Sequence, residues 1–250
     1  MKTALSVNLN KIALLRNQRD LPYPSVVGFA RTVLAAGAAG VTVHPRPDER
    51  HIRRSDITEL SAFMALREYP EAEFNIEGYP SDEFLELVET HRPDQVTLVP
   101  DTPEQSTSDH GWDFSQYGNV LPPIIARIQA TGSRVSLFVD GHVRDVTAAA
   151  TTGAERIEMY TEPYAMAHAA GNAEPMLTEF ADAARTATQL GLGINAGHDL
   201  SLANLGAFLN AVPGVLEISI GHAITAEALD MGMSNAVRAY LELCADSAST

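Results

Sequence analysis

Residues 40–46 read Gly40-Val41-Thr42-Val43-His44-Pro45-Arg46. Val41 and Val43 share one parity, and Thr42, His44 and Arg46 share the other. Successive side chains of a strand point to opposite faces, so this run is a strand with an apolar face and a polar face. Comparable β-rich runs recur at Ala4–Asn10, Gly40–Pro45, Glu73–Tyr79, Gln95–Pro100, Arg134–Asp140, Arg156–Thr161, Leu192–Gly197 and Val215–His222. Most repeat the split. Val7 and Leu9, Phe74 and Ile76, Val96 and Leu98, Leu137 and Val139, Ile157 and Met159, and Ile218 and Ile220 form the apolar set. Asn8 and Asn10, Asn75 and Glu77, Thr97, Ser136 and Asp140, Glu158 and Tyr160, Asn195, and Glu217 and Ser219 form the polar set.

Between these runs lie stretches with apolar residues spaced by three and four, the period of a helix. They include Val26–Ala36, Asp82–Thr90, Val120–Ala130, Val143–Thr152, Pro175–Leu190 and Ala226–Leu243. Ser81 and Ser201 are placed as helix N-caps. Gly37, Gly132, Gly153 and Gly191 stand between a helix and a strand, where a left-handed residue is wanted. Eight strand–helix units without a break in composition predict one (β/α)8 barrel domain over residues 1–250, with room for extra helices. An open doubly wound sheet would place a glycine-rich phosphate loop after its first strand. Asn8-Leu9-Asn10-Lys11 stands there instead. In the barrel the apolar set packs outward on the helices and the polar set points inward. A purely structural barrel fills its interior with Val, Ile and Leu, so the polar interior predicts binding or catalysis.

Of the 250 residues, 45% are hydrophobic and 20% charged, enough for a sizeable core. The formal net charge of −15 repels nucleic acid and anionic membranes, so neither is an expected partner. A single cysteine, Cys244, rules out a disulfide within the chain and a cysteine-rich zinc site. The apolar run at Met1–Val7 is too short for a secretory segment, and no run reaches the roughly 18 residues of a membrane span. A soluble cytoplasmic protein is expected.

The candidate chemistry sits at strand ends, where barrel active sites form. His44 ends its strand beside Arg46, whose planar fork suits phosphate. Glu77 ends Phe74-Asn75-Ile76-Glu77, a carboxyl that burial would push toward protonation. Its structural alternative is a salt bridge, and Glu158 shares that ambiguity. Asn195-Ala196-Gly197-His198 and Ile220-Gly221-His222-Ala223 close the last two strands, the usual phosphate site of such barrels. Arg50, Arg53 and Arg54 are read as a solvated charged loop. Asp101–Tyr117 is a long polar loop with the length of a lid, and Thr107 within it could donate to a ligand. Three strand-end histidines could instead hold zinc, but the chain has His-x-Arg where a metal barrel presents His-x-His.

Several blocks taken together resemble a known family. They are Val7–Arg19, Val41–His51, Asn75-Ile76-Glu77, Leu98-Val99-Pro100, Ser136–Asp140, Asn195–His198 and Ile220–Ala223. The sequence resembles the pyridoxine 5′-phosphate synthase family, the ring-closing enzymes of deoxyxylulose-dependent vitamin B6 synthesis, from about Leu5 to Leu243. The resemblance implies condensation of 1-deoxy-D-xylulose 5-phosphate with 3-amino-2-oxopropyl phosphate. Pyridoxine 5′-phosphate, phosphate and water are the products, and the scheme needs no metal or redox cofactor.

By position, the resemblance makes His44 and Glu77 proton acceptors, His198 a proton donor and Glu158 an auxiliary carboxylate. It makes Asn8, Arg19, Gly221 and His222 contacts to the aminooxopropyl phosphate, and Arg46, His51 and Thr107 contacts to the deoxyxylulose phosphate. It also implies a homo-octamer. The chain has Asn10-Lys11 where many members have Asp-His, and Asp199 where they have Gly. Asn10, Lys11 and Asp199 are therefore expected to adjust substrate contacts, with Lys11 able to hold phosphate as a point charge. Two other readings stay open on the residues alone. One is another phosphate-binding barrel, such as an aldolase using Lys11 as an imine-forming lysine, or an isomerase. The other is a barrel that binds a phosphorylated metabolite without turning it over.

Overall fold

The computed structural model describes residues 2–101, 105 and 108–246. Eight strands close in sequence order into one barrel: β1 (Ala4–Asn8), β2 (Gly40–Val43), β3 (Glu73–Gly78), β4 (Gln95–Leu98), β5 (Arg134–Asp140), β6 (Arg156–Tyr160), β7 (Gly193–Gly197) and β8 (Val215–Ile220). Every adjacent pair is parallel, and β1 meets β8 with Leu5 opposite Ile218 and Val7 opposite Ile220. Parallel neighbours need a crossover, which helices supply. Among the described residues these are α1 (Asn10–Asn17), α2 (Val26–Ala35), α3 (Arg54–Ala65), α4 (Asp82–His91), α5 (Phe114–Tyr117), α6 (Leu121–Gln129), α7 (Val143–Ala149), α8 (Glu162–Ala169), α9 (Glu174–Gln189), α10 (Leu205–Ala211), α11 (His222–Met231) and α12 (Met233–Asp246).

The parity reading holds. Val7, Val41, Ile76, Leu98, Leu137, Ile157 and Ile218 are buried in one apolar layer between strands and helices. The polar parity fills the barrel with side-chain hydrogen bonds. Ser6 meets Thr42 at 2.7 Å, and Asn75 Nδ2 donates to Thr42 (3.3 Å) and Thr97 (3.1 Å). Below them lies a charged layer. Arg156 Nη1 donates to Asn195 (3.0 Å) and Glu217 (3.2 Å). Arg134 pairs with Glu73 and donates through Nε to Gln95 (3.0 Å), while Gln95 Nε2 reaches Glu217 at 3.4 Å.

Several boundaries differ from the sequence reading, each for a local reason. β1 stops at Asn8 because the Asn8 side chain accepts the Asn10 N–H (2.9 Å) and turns the chain into α1. The periodic stretch 226–243 belongs to two helices, divided at Gly232, whose φ of 81° no helix carries. Arg54 opens α3 rather than sitting in a loop, and Asp56 secures that start by accepting the Arg53 N–H at 2.8 Å. Ser81 caps α4 through the Phe84 N–H, but Ser201 caps nothing. The helix after it starts at Leu205, and Asn204 Oδ1 takes the Ser201 N–H (2.8 Å). Gly37, Gly132, Gly153 and Gly191 have φ between 80° and 109°, as their positions required.

The charged layer makes a stability prediction. Arg156→Met strands the buried Glu217 carboxylate and should cost about 3 kcal/mol in urea unfolding at neutral pH. Adding Glu217→Leu should recover most of that loss, since no charge is then left unpaired. Equal losses in the single and double variants would show that Arg156 acts through packing alone.

Candidate active site

The polar parity ends in a cavity of about 290 Å³ at the carboxyl end of the barrel. It gathers His44, Glu77, Glu158 and His198 with Asn8, Asn10, Lys11, Arg46, His51, Asp199, Gly221 and His222. All but two of the residues expected at the site are therefore brought together. Arg19 is exposed and does not line the cavity. Thr107 lies outside the described residues.

His44 directly follows β2, and its N–H donates to Asn10 Oδ1 at 2.9 Å. Burial lowers its basicity well below the usual histidine range, and the cations Arg46 and Arg50 add to that effect. His51 lies 6.2 Å away between ring centroids. Its Nδ1 faces the Ile52 N–H at 2.9 Å and must accept, so its one ring proton sits on Nε2. Burial, then Arg46 and Lys11, hold His51 at about 4.

His198 directly follows β7 with φ at 79°. Its ring lies edge-on to Phe138 (5.3 Å) and Tyr160 (5.4 Å). The Thr161 hydroxyl binds the backbone there, at the carbonyls of Gly197 (2.7 Å) and His198. Burial lowers His198 to about 4, and Asp199 works against that shift. Asp199 has φ 59°, a left-handed conformation in which glycine is at ease and Asp is among the better-tolerated alternatives.

The two carboxyls behave oppositely to the imidazoles. Burial, then the Asp101 and Glu217 charges, push Glu77 up to about 8, while Arg46 and a 3.3 Å hydrogen bond from Asn8 pull it down. Burial and the neighbouring Glu77 and Glu217 raise Glu158 well above the usual carboxylate range. Gly197 makes room for it, since a Cβ there would come within 2.5 Å of Glu158 Oε1. Burial thus favours the bare form of His44, His51 and His198 and the protonated form of Glu77 and Glu158. Such a set can both take and give protons.

Anion binding falls to the other wall. Lys11 lies in the first turn of α1, and among the described residues no ion pair engages it. Gly221 and His222 form the N-terminus of α11, whose first turn carries no acidic residue and whose N–H groups and dipole favour an anion. Arg46 is placed differently from expectation. Its fork is spent on the Asp101 carboxylate and the Gln105 carbonyl (3.0 Å), and Ser108 also donates to Asp101 (2.8 Å). Arg46 therefore supplies charge to the cavity while anchoring the loop after β4. That loop is built where it is described: Trp112 is buried, donates to the Leu98 carbonyl (2.9 Å) and stacks on Tyr79. Lys11 sits on a helix, half-buried, and not on a strand as an imine-forming lysine reading would require.

Sequence reasoning missed Asp101, Phe138 and Thr161. Phe138 lies on the polar parity of β5, so strand alternation was the signal that could have found it. Nothing local marks the other two, whose partners are 55 and 36–37 residues away.

Comparison with known proteins bears on the fold and the family. In solved structures, a protein described as native KDPGal superposes with a TM-score of 0.63 over 100% of this chain and 98% of that one, at 11% identity. Tryptophan synthase from M. tuberculosis gives 0.62 over 98% of this chain and 92% of that one, also at 11%. At such identities the likeness shows the barrel fold alone. Sequence relatives reach further. A pyridoxine 5′-phosphate synthase of Mesorhizobium japonicum is 54% identical over 98% of this chain and 99% of its own length. One of Brucella abortus is 55% identical over 96% and 98%. The model of the family described as pyridoxal phosphate biosynthesis protein PdxJ matches residues 5–246, nearly all of the barrel and every cavity residue named above. With the family model matching residues 5–246 and relatives 54–55% identical over nearly the whole chain, the chain belongs to the PdxJ family.

Proposed function

We propose that this protein is a pyridoxine 5′-phosphate synthase, condensing 1-deoxy-D-xylulose 5-phosphate with 3-amino-2-oxopropyl phosphate. The observation that carries the reading is one cavity lined by His44, His198, Glu77 and Glu158, where burial favours the bare form of the two imidazoles and the protonated form of the two carboxyls. Imine formation, loss of phosphate, addition of water and ring closure each move protons on and off carbon, nitrogen or oxygen. A cavity with both acceptors and donors can serve them in turn.

The starting inventory refines the roles suggested by resemblance. His44, its basicity lowered by burial, takes the role of acceptor in this reading. Glu77 starts loaded, so it donates first and accepts afterwards. His198 starts bare, and the negative potential of bound phosphate favours its protonated form. Lys11 and the N-terminus of α11 hold one phosphate, with Asn8, Gly221 and His222 around it. Arg46, His51 and Thr107 are the contacts proposed for the deoxyxylulose phosphate, and Arg19, outside the cavity lining, is kept only as a proposed contact to the aminooxopropyl phosphate. The chain is also proposed to work as a homo-octamer in the cytoplasm. Exposed Leu15 and Tyr23 near α1, and Leu229 on α11, offer apolar surface for assembly. No helix among the described residues is long and apolar enough to cross a membrane.

The direct test is incubation of the purified protein with both phosphates and detection of pyridoxine phosphate by absorbance; no product means another activity. His44→Ala, Glu77→Gln and His198→Ala should each lower turnover about 10²-fold or more. Near-normal turnover in one variant would exclude that residue from proton transfer.

The pH dependence has a defined sign. Glu77 must carry a proton in the free enzyme and loses it at about 8, so kcat/KM should fall as pH rises through 8. A profile flat to pH 9.5 would mean that Glu77 is not the first donor.

Lys11→Ala should raise KM for a phosphate substrate roughly tenfold with kcat little changed, the scale of one charge-assisted hydrogen bond. An unchanged KM for both substrates would remove Lys11 from phosphate binding.

A further inference from the structure

Asn10 is expected from the sequence to adjust substrate contacts, but its side-chain oxygen is already committed to the protein. Asn10 Oδ1 accepts the backbone N–H of His44 at 2.9 Å. The backbone N–H of Asn10 in turn donates to Asn8 Oδ1 at 2.9 Å, and Asn8 Nδ2 donates to Glu77 Oε2 at 3.3 Å. One unbroken path therefore runs from the amide of His44 to the carboxyl of Glu77, through two asparagines on the first strand and helix.

We infer that Asn10 is a positioning residue, clamping His44 at the end of β2 and tying its placement to that of Glu77. The geometry supports this in three ways. His44 lies just beyond the last residue of β2, so the sheet no longer fixes its backbone, and the Asn10 carbonyl takes over that task. Asn10 is itself held as the first residue of α1, where its N–H has no partner within the helix and the Asn8 side chain supplies one. The glycine at 221 leaves Asn8 room for this arrangement, since a Cβ there would sit 3.1 Å from the Asn8 Cβ. Among the described residues Asn10 Nδ2 has no protein partner, so the same amide can face the cavity as a donor. A carboxylate at position 10 keeps the acceptor and loses that donor.

The inference rests on the proposed activity in one respect, that His44 transfers protons; the clamp itself does not. Two variants separate acceptor from bulk: Asn10→Leu removes the acceptor at similar size, and Asn10→Asp keeps it. Amide hydrogen exchange of the folded, unliganded protein reads the clamp directly. The His44 amide should exchange about fivefold or more faster in Asn10→Leu than in wild type, and Asn10→Asp should stay near wild type. Equal exchange in all three proteins overturns the clamp, whatever the activity. In turnover, Asn10→Leu should lose kcat by about 10²-fold, the scale of a misplaced catalytic group. Asn10→Asp should keep most of kcat and show its loss in KM. A raised KM with normal kcat in Asn10→Leu would reduce Asn10 to a substrate contact and overturn the inference. If wild type makes no pyridoxine phosphate, the proposed activity fails, and the exchange result alone still judges the clamp.

Discussion

A barrel of parallel strands turns every second side chain inward, and in this protein nearly all of those side chains are polar. A polar group removed from water must find a partner inside or pay heavily for its isolation. The whole interior is arranged around that constraint. At the bottom, Arg134 and Arg156 answer Glu73 and Glu217. In the middle, Ser6, Thr42, Asn75 and Thr97 satisfy one another with neutral groups. At the top the pairing is sparser: among the described residues Glu77 has only the long Asn8 contact, and Thr97 is the one hydrogen-bonding group that lowers Glu158. The lower layers hold the strands in register so that the upper groups can be left partly unanswered, available to a substrate.

The same burial sets the protonation of the site. Desolvation disfavours charge of either sign, which empties imidazoles of protons and fills carboxyls. His44, His51 and His198 are all lowered with burial as the largest cause, and Glu77 and Glu158 are raised for the same reason. No special partner is needed to prepare donors and acceptors side by side. The nearby cations refine this rather than create it: Arg46 lowers both His44 and Glu77. Arg46 and Lys11 also give an otherwise acidic chain a local positive region where phosphorylated substrates would enter.

Strand alternation made the barrel, its inward face and the main proton-transfer candidates legible in the sequence, because parity is a local property. What escaped was decided across the chain. α1 begins two residues after β1 ends, so no break announces it. The commitment of Arg46 to Asp101 joins residues 55 apart, and the contact of Asn10 with His44 joins residues 34 apart. Arg46 had the right residue type for phosphate, yet its fork is closed by a partner that only the folded loop after β4 supplies. Arg19, assigned by resemblance, is exposed and does not line the cavity.

Asp199 shows how a departure from a family pattern can be absorbed. The backbone at 199 is left-handed, which explains the glycine that the resemblance leads one to expect there. Asp accepts that conformation better than most residues, and Asn204 Nδ2 fixes the strained turn by donating to the Asp199 carbonyl at 3.0 Å. The added carboxylate then lies beside His198, where it favours the protonated imidazole against burial and against Lys11. Lys11 is itself another departure. The two changes therefore act on the same ring with opposite sign: the cation makes His198 harder to protonate, and the anion makes it easier. Considered singly, each would disturb a proton donor. Taken together, they leave its charge balance closer to that of a site with neither, while placing a cation on the phosphate wall.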